Sequence, residues 1–409
     1  MDLNEIYNNA SAILLSSQNC WIDESYLYVF SGKPEFTLYL TDNNLFLGKN
    51  NEITELFGVN PFDFIEQQAA NGKYAAGYIS YNYLEYTDIG LTLRNKKFND
   101  NFPLLYFNFY SPAKLDKFNI KQAEKILNIK QKEIRSKQSD IQYSTHKEGY
   151  ILDINKIKEY IENGDVYQVN LSHKITTRLQ NNPLNTFFNY YKAQPVPYGI
   201  YIDCDKFHFL GGSMEQFVEK RGDIITTKPI KGTSKRNQHK SKDDQIKANL
   251  STNPKEKAEN LMIVDLMRND LSRVCKPATV KVNKLFNVKS YRTLHQMESE
   301  ITGQLLQDKR LKDIIYSVFP PGSVTGAPKK RSIQIIDELE NHSRGPYCGC
   351  AGVFSPNGDF TLCVSIRTAI LEGNTINYWA GSGIVYDSDA EKEYQETLLK
   401  QKAFLNSIN

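Results

Sequence analysis

The chain of 409 residues has no long apolar run. Its mean hydropathy is -0.51, and nothing in it approaches the roughly 20 consecutive apolar residues of a membrane-spanning helix. It has no cationic and then apolar leader either. Met1 to Asn9 is polar and carries Asp2 and Glu5, so no secretory signal is expected and a cytoplasmic location is. A basic excess is also missing: 50 Lys and Arg against 47 Asp and Glu leave a net charge of +3. That small difference between large numbers argues against nucleic-acid and membrane-surface partners. Cysteine is sparse. Cys20, Cys204, Cys275, Cys348, Cys350 and Cys363 should be reduced thiols in a cytosolic protein. The C-x-C of Cys348 and Cys350 lacks a second pair or a histidine at zinc-site spacing. Internal repeats and low-complexity tails are absent.

What is there is ordinary for a globular enzyme: 40% hydrophobic and 24% charged residues. At roughly 100–200 residues per domain, the length allows two or three domains or one large intertwined one. Residues 1–145 are rich in aromatics, with short strand-like runs at Tyr26–Phe30, Phe36–Leu40, Tyr78–Tyr83 and Leu104–Tyr110. Asn, Asp and Gly separate these runs, which is turn chemistry. A helical segment is expected over Lys121–Lys137, then a polar boundary over Ser136–Glu148. From residue 146 to 409 helices and strands alternate. Leu152–Glu162, Pro183–Lys192, Lys255–Asn269, Pro328–Leu339 and Ala390–Asn406 read as helices. Val166–Ile175, Tyr198–Ile202, Phe207–Leu210, 278–288, 296–304, Ala351–Phe354, Phe360–Leu371 and Thr375–Ala380 read as strands. Hairpin-like pairs around Pro356-Asn357-Gly358 favour antiparallel pairing, so the expected class is α+β.

Several constellations could carry chemistry. Glu256 and Glu259 share a face of one helix, and Glu393 and Glu396 a face of another. Four converging carboxylates would suit Mg²⁺; the spacing fits exposed helix surfaces equally, and Glu256 also fits a capping box after Asn253. Gly381-Ser382-Gly383 reads as a Gly-rich turn ahead of the last helix, where backbone N–H groups could meet an anion. Gly322–Lys329 is a second turn, without the G-K-[ST] ending of a phosphate loop. Lys231 lies between a strand and a Gly turn, where desolvation could make it a nucleophile and solvation would make it a surface lysine. Arg367 interrupts the apolar run Cys363–Ile370 and needs a partner, either a substrate carboxylate or a structural acid.

Taken together and in order, these segments resemble the chorismate-utilising enzymes, the family of anthranilate, aminodeoxychorismate, isochorismate and salicylate synthases. The resemblance runs from about Gly164 to Glu396. It is carried by Gly164–Ser172, Pro229–Thr233, Ala258–Leu266 with Arg268-Asn269-Asp270, and Pro321–Lys329. Ser365–Thr368, Ala380–Val385 and Asp387-Ser388-Asp389 complete it. Leu14-Leu15-Ser16-Ser17 is a degenerate form of the tryptophan-binding motif of anthranilate synthases. Isochorismate and salicylate synthases carry a water-activating lysine where this chain has Gln168. Anthranilate synthases typically read P-I-A-G-T where this chain has Lys231, as aminodeoxychorismate synthases do. Gln296 stands where anthranilate synthases usually have histidine.

The resemblance implies a chorismate-binding fold, with antiparallel sheets and helices around a central cleft. Residues 146–409 would be its catalytic domain and residues 1–145 the N-terminal region. It implies chorismate as substrate and Mg²⁺ as cofactor, held by Glu259 and Glu396 with Glu256 and Glu393 beside them. Lys231 would attack the ring covalently at C2 and Glu215 would protonate the leaving hydroxyl. Arg367, Tyr347 and the Gly383 amide would clamp a carboxylate, with Ser323, Gln168 and Thr233 as further contacts. The implied product is 4-amino-4-deoxychorismate, with anthranilate formation and a catalytically inactive binding protein as alternatives. No G-x-C-x-G elbow with a downstream His-x-Glu is present: Gly349–Gly352 is a poor imitation, and the last histidine, His342, precedes it. A separate glutamine amidotransferase subunit is therefore expected to supply ammonia.

Overall fold

A computed structural model describes residues 9–23, 25–42, 44–94, 102–127, 141–178, 182–292 and 294–408. Helices pack against two antiparallel sheets, the α+β class expected. Among the described residues the first sheet has ten strands. Its order is Gly326–Ala327, Gln168–Arg178, Thr375–Ile384, Thr368–Glu372, His208–Ser213, Tyr198–Asp203, Ala10–Leu15, Leu27–Ser31 and Leu115–Phe118. Gln142–Tyr143 also pairs with Gln168–Arg178. The second sheet has twelve, running Ile230–Lys235, Leu294–Gln304, Ile224–Lys228, Gln216–Arg221, Phe360–Val364, Cys350–Phe354, Tyr74–Ile79, Leu105–Tyr110, Phe36–Thr41, Asn44–Lys49 and Glu52–Glu55. Lys281–Ser290 pairs with Leu294–Gln304 beside that path. Both sheets draw strands from either side of residue 145.

Aromatic residues supply much of the core, because each large ring removes extensive apolar surface from water. Trp21, Tyr28, Tyr78, Phe107, Phe109, Tyr110 and Trp379 are all buried. Tyr78 stacks on Phe209 with ring centroids 5.3 Å apart, tying the second sheet to the first.

Two of the chain's passages between the sheets lie side by side. His208–Ser213 lies in the first sheet and Gln216–Arg221 in the second, with Met214-Glu215 between them. Phe360–Val364 lies in the second sheet and Thr368–Glu372 in the first, with Ser365-Ile366-Arg367 between them. The continuous strand expected over Phe360–Leu371 is thus two strands. Arg367 breaks it at φ +54°, a left-handed backbone that ends ladder geometry. Hydrogen bonds join the two crossings: Val364 N donates to the Glu215 carbonyl (3.0 Å) and Gly212 N to the Arg367 carbonyl (3.1 Å).

Other boundaries follow the chemistry of the chain. Asn253 caps the helix Pro254–Ser272, its side chain accepting from Lys255 N and Glu256 N, with Pro254 at the first turn. Asn182 and Pro183 do the same for Pro183–Ala193. The expected helix over Lys121–Lys137 is seen as Ile120–Leu127; residues 128–137 lie outside the described residues. The Gly-rich turn expected at Gly381–Gly383 is instead part of the strand Thr375–Ile384. Gly381 lies opposite Ser172 and Gly383 opposite Asn170, so those residues extend the ladder.

Candidate active site

Lys231 stands on the outermost strand of the second sheet, at the end that meets Gln168 and Gly383 of the first. A Cβ added to Gly383 would lie 2.9 Å from Gln168 Nε2 and 3.1 Å from Lys231 Nζ. Glycine at 383 therefore leaves the space into which both side chains reach. Gln168 is fully buried, and neither of its amide atoms has a hydrogen-bond partner among the described residues. A buried amide without partners costs free energy unless a ligand or water satisfies it. Lys231 keeps partial solvent contact. Desolvation is still the largest influence on its amine and lowers its pKa; Lys400 adds to that, against the pull of Glu259, Glu215 and Glu396.

Glu215 sits in the first crossing with only 5% of its surface exposed. Its Oε1 accepts from Ile230 N at 3.4 Å, which ties it to the residue before Lys231. Burial pushes its carboxyl up to about 7, tempered by Ser323 and by the charge of Lys231. The Ser323 hydroxyl is near enough to act on that carboxyl yet outside hydrogen-bond geometry. An acid that is half protonated near neutral pH beside an amine held below its usual range has the chemistry that a donor–nucleophile pair requires.

The carboxylates come from two helices. Glu256 and Glu259 lie on Pro254–Ser272, and Glu393 and Glu396 on Ala390–Ile408. Desolvation raises the Glu256 carboxyl, and repulsion from Glu259 and Glu396 raises it further. Glu393 is raised by desolvation and by Glu396, while Ser388 donates to its Oε1 at 2.8 Å. Desolvation also acts on Glu396, but Lys400 outweighs it, aided by Lys231 and Arg367, and its pKa falls. Glu256, Glu259 and Glu396 thus share one electrostatic neighbourhood with Lys231, and Glu393 adjoins it through Glu396. Among the described residues no three His, Cys, Asp or Glu side chains form a ready-made metal cage.

The remaining expected contacts are spread around this centre. Tyr347 is buried and stacks on Trp379, with centroids 6.2 Å apart and planes 7° apart. Thr233 is exposed on the Lys231 strand, opposite Gln296, whose buried Oε1 has no partner among the described residues. Arg367 turns toward the last helix, where its Nη1 donates to the Lys400 carbonyl at 2.7 Å.

Sequence reasoning missed two features. Lys400 bonds Glu396 Oε1 at 2.7 Å and the Gly381 carbonyl at 2.8 Å, joining the helix to the strand that carries Gly383. Its i,i+4 spacing from Glu396 was the available signal. The second is a buried network: Arg344 Nη2 donates to the Asn170 carbonyl (2.6 Å) and to Glu340 Oε1 (2.7 Å), which also accepts from Ser172 N (2.8 Å). It fixes the strand that presents Gln168, and nothing in local spacing announced it.

A profile described as "chorismate binding enzyme" matches residues 11–406. Anthranilate synthase component 1 of Saccharolobus solfataricus is 33% identical over 339 residues, covering 81% of this chain and 80% of that protein. Anthranilate synthase component 1 of Aquifex aeolicus is 40% identical over 255 residues, 62% of this chain and 52% of that protein. The chloroplastic aminodeoxychorismate synthase of Arabidopsis thaliana is 39% identical over 266 residues, 64% of this chain and 29% of that protein. The matched stretch thus spans about half of the Aquifex relative's length, and less of the Arabidopsis one. The crystal structure of anthranilate synthase component I from Streptococcus pneumoniae superposes with a TM-score of 0.77 at 26% identity, covering 97% of this chain and 92% of that one.

Proposed function

Because the chain belongs to the family of chorismate-binding enzymes, we propose that it aminates chorismate at C4, giving 4-amino-4-deoxychorismate through a covalent Lys231 intermediate. One observation carries the reading: Lys231, with a lowered pKa, reaches the space left by Gly383 beside buried Gln168, and Glu215 lies next to it with a carboxyl pushed up to about 7. The neutral amine of Lys231 attacks C2, both ring double bonds shift, and the C4 hydroxyl leaves as water with a proton from Glu215. Ammonia then adds at C4, both double bonds shift back, and the Lys231 amine is released as the added nitrogen gives up a proton. The ring keeps its enolpyruvyl group, and hydroxyl is replaced by amine.

Desolvation, and after it repulsion from neighbouring glutamates, raises the Glu256 and Glu393 carboxyls, and carboxylates brought this close fit a hard divalent cation. Glu259 and Glu396 would hold Mg²⁺, with Glu256 and Glu393 around it. Bound there, Mg²⁺ would neutralise and orient a ring carboxylate. Arg367, Tyr347, Ser323, Thr233 and the Gly383 amide would serve the substrate's other polar groups. Ammonia would come from a separate glutamine amidotransferase.

A second reading is favoured by the names of the relatives, most of which are anthranilate synthases. In that reaction ammonia attacks C2 directly and pyruvate is lost. One experiment separates the two: supply the purified chain with chorismate, Mg²⁺ and ammonium, and analyse the product by mass spectrometry and fluorescence. The proposal expects a non-fluorescent product that retains the enolpyruvyl group. It also expects Lys231→Ala to lose most of that product. Fluorescent anthranilate with stoichiometric pyruvate would establish the second reading.

A further inference from the structure

We propose that Lys400 is the resident counter-cation of the carboxylate site, and that a divalent metal binds there by displacing its ammonium from Glu396. This rests on reading the glutamates as the Mg²⁺ site. The Lys400 ammonium lies 2.7 Å from Glu396 Oε1 and 2.8 Å from the Gly381 carbonyl. A hard cation approaches a carboxylate oxygen to about 2.1 Å and brings its own waters. It cannot share that oxygen with an ammonium already in contact, and the two positive charges repel.

The root of Lys400 is fixed by contacts separate from those that hold its ammonium. Arg367 Nη1 donates to the Lys400 carbonyl at 2.7 Å and the Tyr378 hydroxyl does so at 3.3 Å. These bonds pin the helix at this residue without holding the side chain. The Lys400–Glu396 pair leaves 30% and 51% of the two side chains exposed. Ion pairs of that kind are weak, so a dication drawn by several carboxylates can replace the ammonium. The Gly381 carbonyl remains as the second anchor of the displaced lysine. The arrangement would stabilise the metal-free protein, whose glutamates otherwise repel one another, and would lower metal affinity.

Calorimetric titration of the full chain with Mg²⁺, without chorismate, tests the proposal. Lys400→Met should tighten Mg²⁺ binding by about 10-fold, the effect of removing a unit charge a few ångströms from a dication in a partly hydrated site. Lys400→Arg keeps the charge and should stay within about 2-fold of wild type, and Glu396→Gln should weaken binding. If Lys400→Met binds Mg²⁺ no more tightly than wild type, the proposal is wrong while the metal site stands. If Glu396→Gln binds as wild type does, or no variant binds, the metal reading fails and the proposal with it. Thermal melts without metal verify folding, and Lys400→Gln replaces Lys400→Met should the latter not fold.

Discussion

Glu215 is a buried carboxyl whose proton affinity depends on the fold. Its pKa rises from 4.5 unfolded to about 7 folded, so the native state binds the proton more tightly than the unfolded chain. The sign follows from linkage: its contribution is fully present below pH 4.5 and is lost as pH rises through 7. At 1.36 kcal/mol per pKa unit the loss is about 3 kcal/mol. Glu215→Gln removes the titration and should be more stable than wild type at pH 8, with the advantage disappearing below pH 4.5. Urea melts at the two pH values measure it; an equal difference at both would show that burial does not set this carboxyl. The same variant should be nearly inactive, since an amide cannot protonate the leaving hydroxyl. Such residue roles were legible only through family resemblance. Ser213-Met214-Glu215 has no spacing that marks it, and the burial that raises its carboxyl comes from its place in a crossing between sheets. Lys231 was visible as a lysine beside a Gly turn, but Gln168 and Gly383, with which it shares its space, are more than 60 and 150 positions away.

At the scale of elements, two strand glycines make opposite demands. A Cβ at Gly383 meets the mobile ends of Gln168 and Lys231, whereas one at Gly352 falls 2.0 Å from the Thr361 carbonyl oxygen and 3.0 Å from the Leu362 Cα. Side-chain ends can move aside; paired backbone cannot. Gly383→Ala should therefore keep a melting temperature near wild type while losing most turnover. Gly352→Ala should force apart Cys350–Phe354 and Phe360–Val364 and cost at least ~3 kcal/mol. Thermal melts paired with product assays check both, and a stable, fully active Gly383→Ala would remove Lys231 and Gln168 from the reacting space. The helices were readable because their signals are local: Asn253-Pro254 and Asn182-Pro183 cap and start two of them. Strand identity was readable too, and strand limits less so. Within Phe360–Leu371, Arg367 interrupts the apolar run and reads as a charge in need of a partner; that it is also the turn that moves the chain from one sheet to the other is not marked by the hydrophobic pattern. Gly381–Gly383 looked like a turn because glycine usually marks one, yet here it keeps a strand face clear of side chains.

The whole molecule is interleaved in a way that no single segment reveals. Ala10–Leu15 lies between Tyr198–Asp203 and Leu27–Ser31 in the first sheet. Tyr74–Ile79 bonds Cys350–Phe354 in the second, and Leu105–Tyr110, Phe36–Thr41 and Asn44–Lys49 extend that sheet outward. Removing the stretch before residue 146 would open the backbone edges of Tyr198–Asp203 and Cys350–Phe354, both now in sheet interiors. It would also uncover core rings such as Phe209 and Phe354, which pack against Tyr78 and Phe107. Unpaired edges and exposed aromatic surface favour aggregation over a native state. Residues 146–409 expressed alone should therefore be insoluble or lack a cooperative thermal transition, although every residue proposed for the chemistry lies within them. Co-expression with residues 1–145 should restore soluble protein and chorismate turnover, because the interface between the pieces is sheet and core. A soluble, cooperatively melting and active 146–409 fragment would show that the shared sheets are dispensable and that the catalytic half folds by itself.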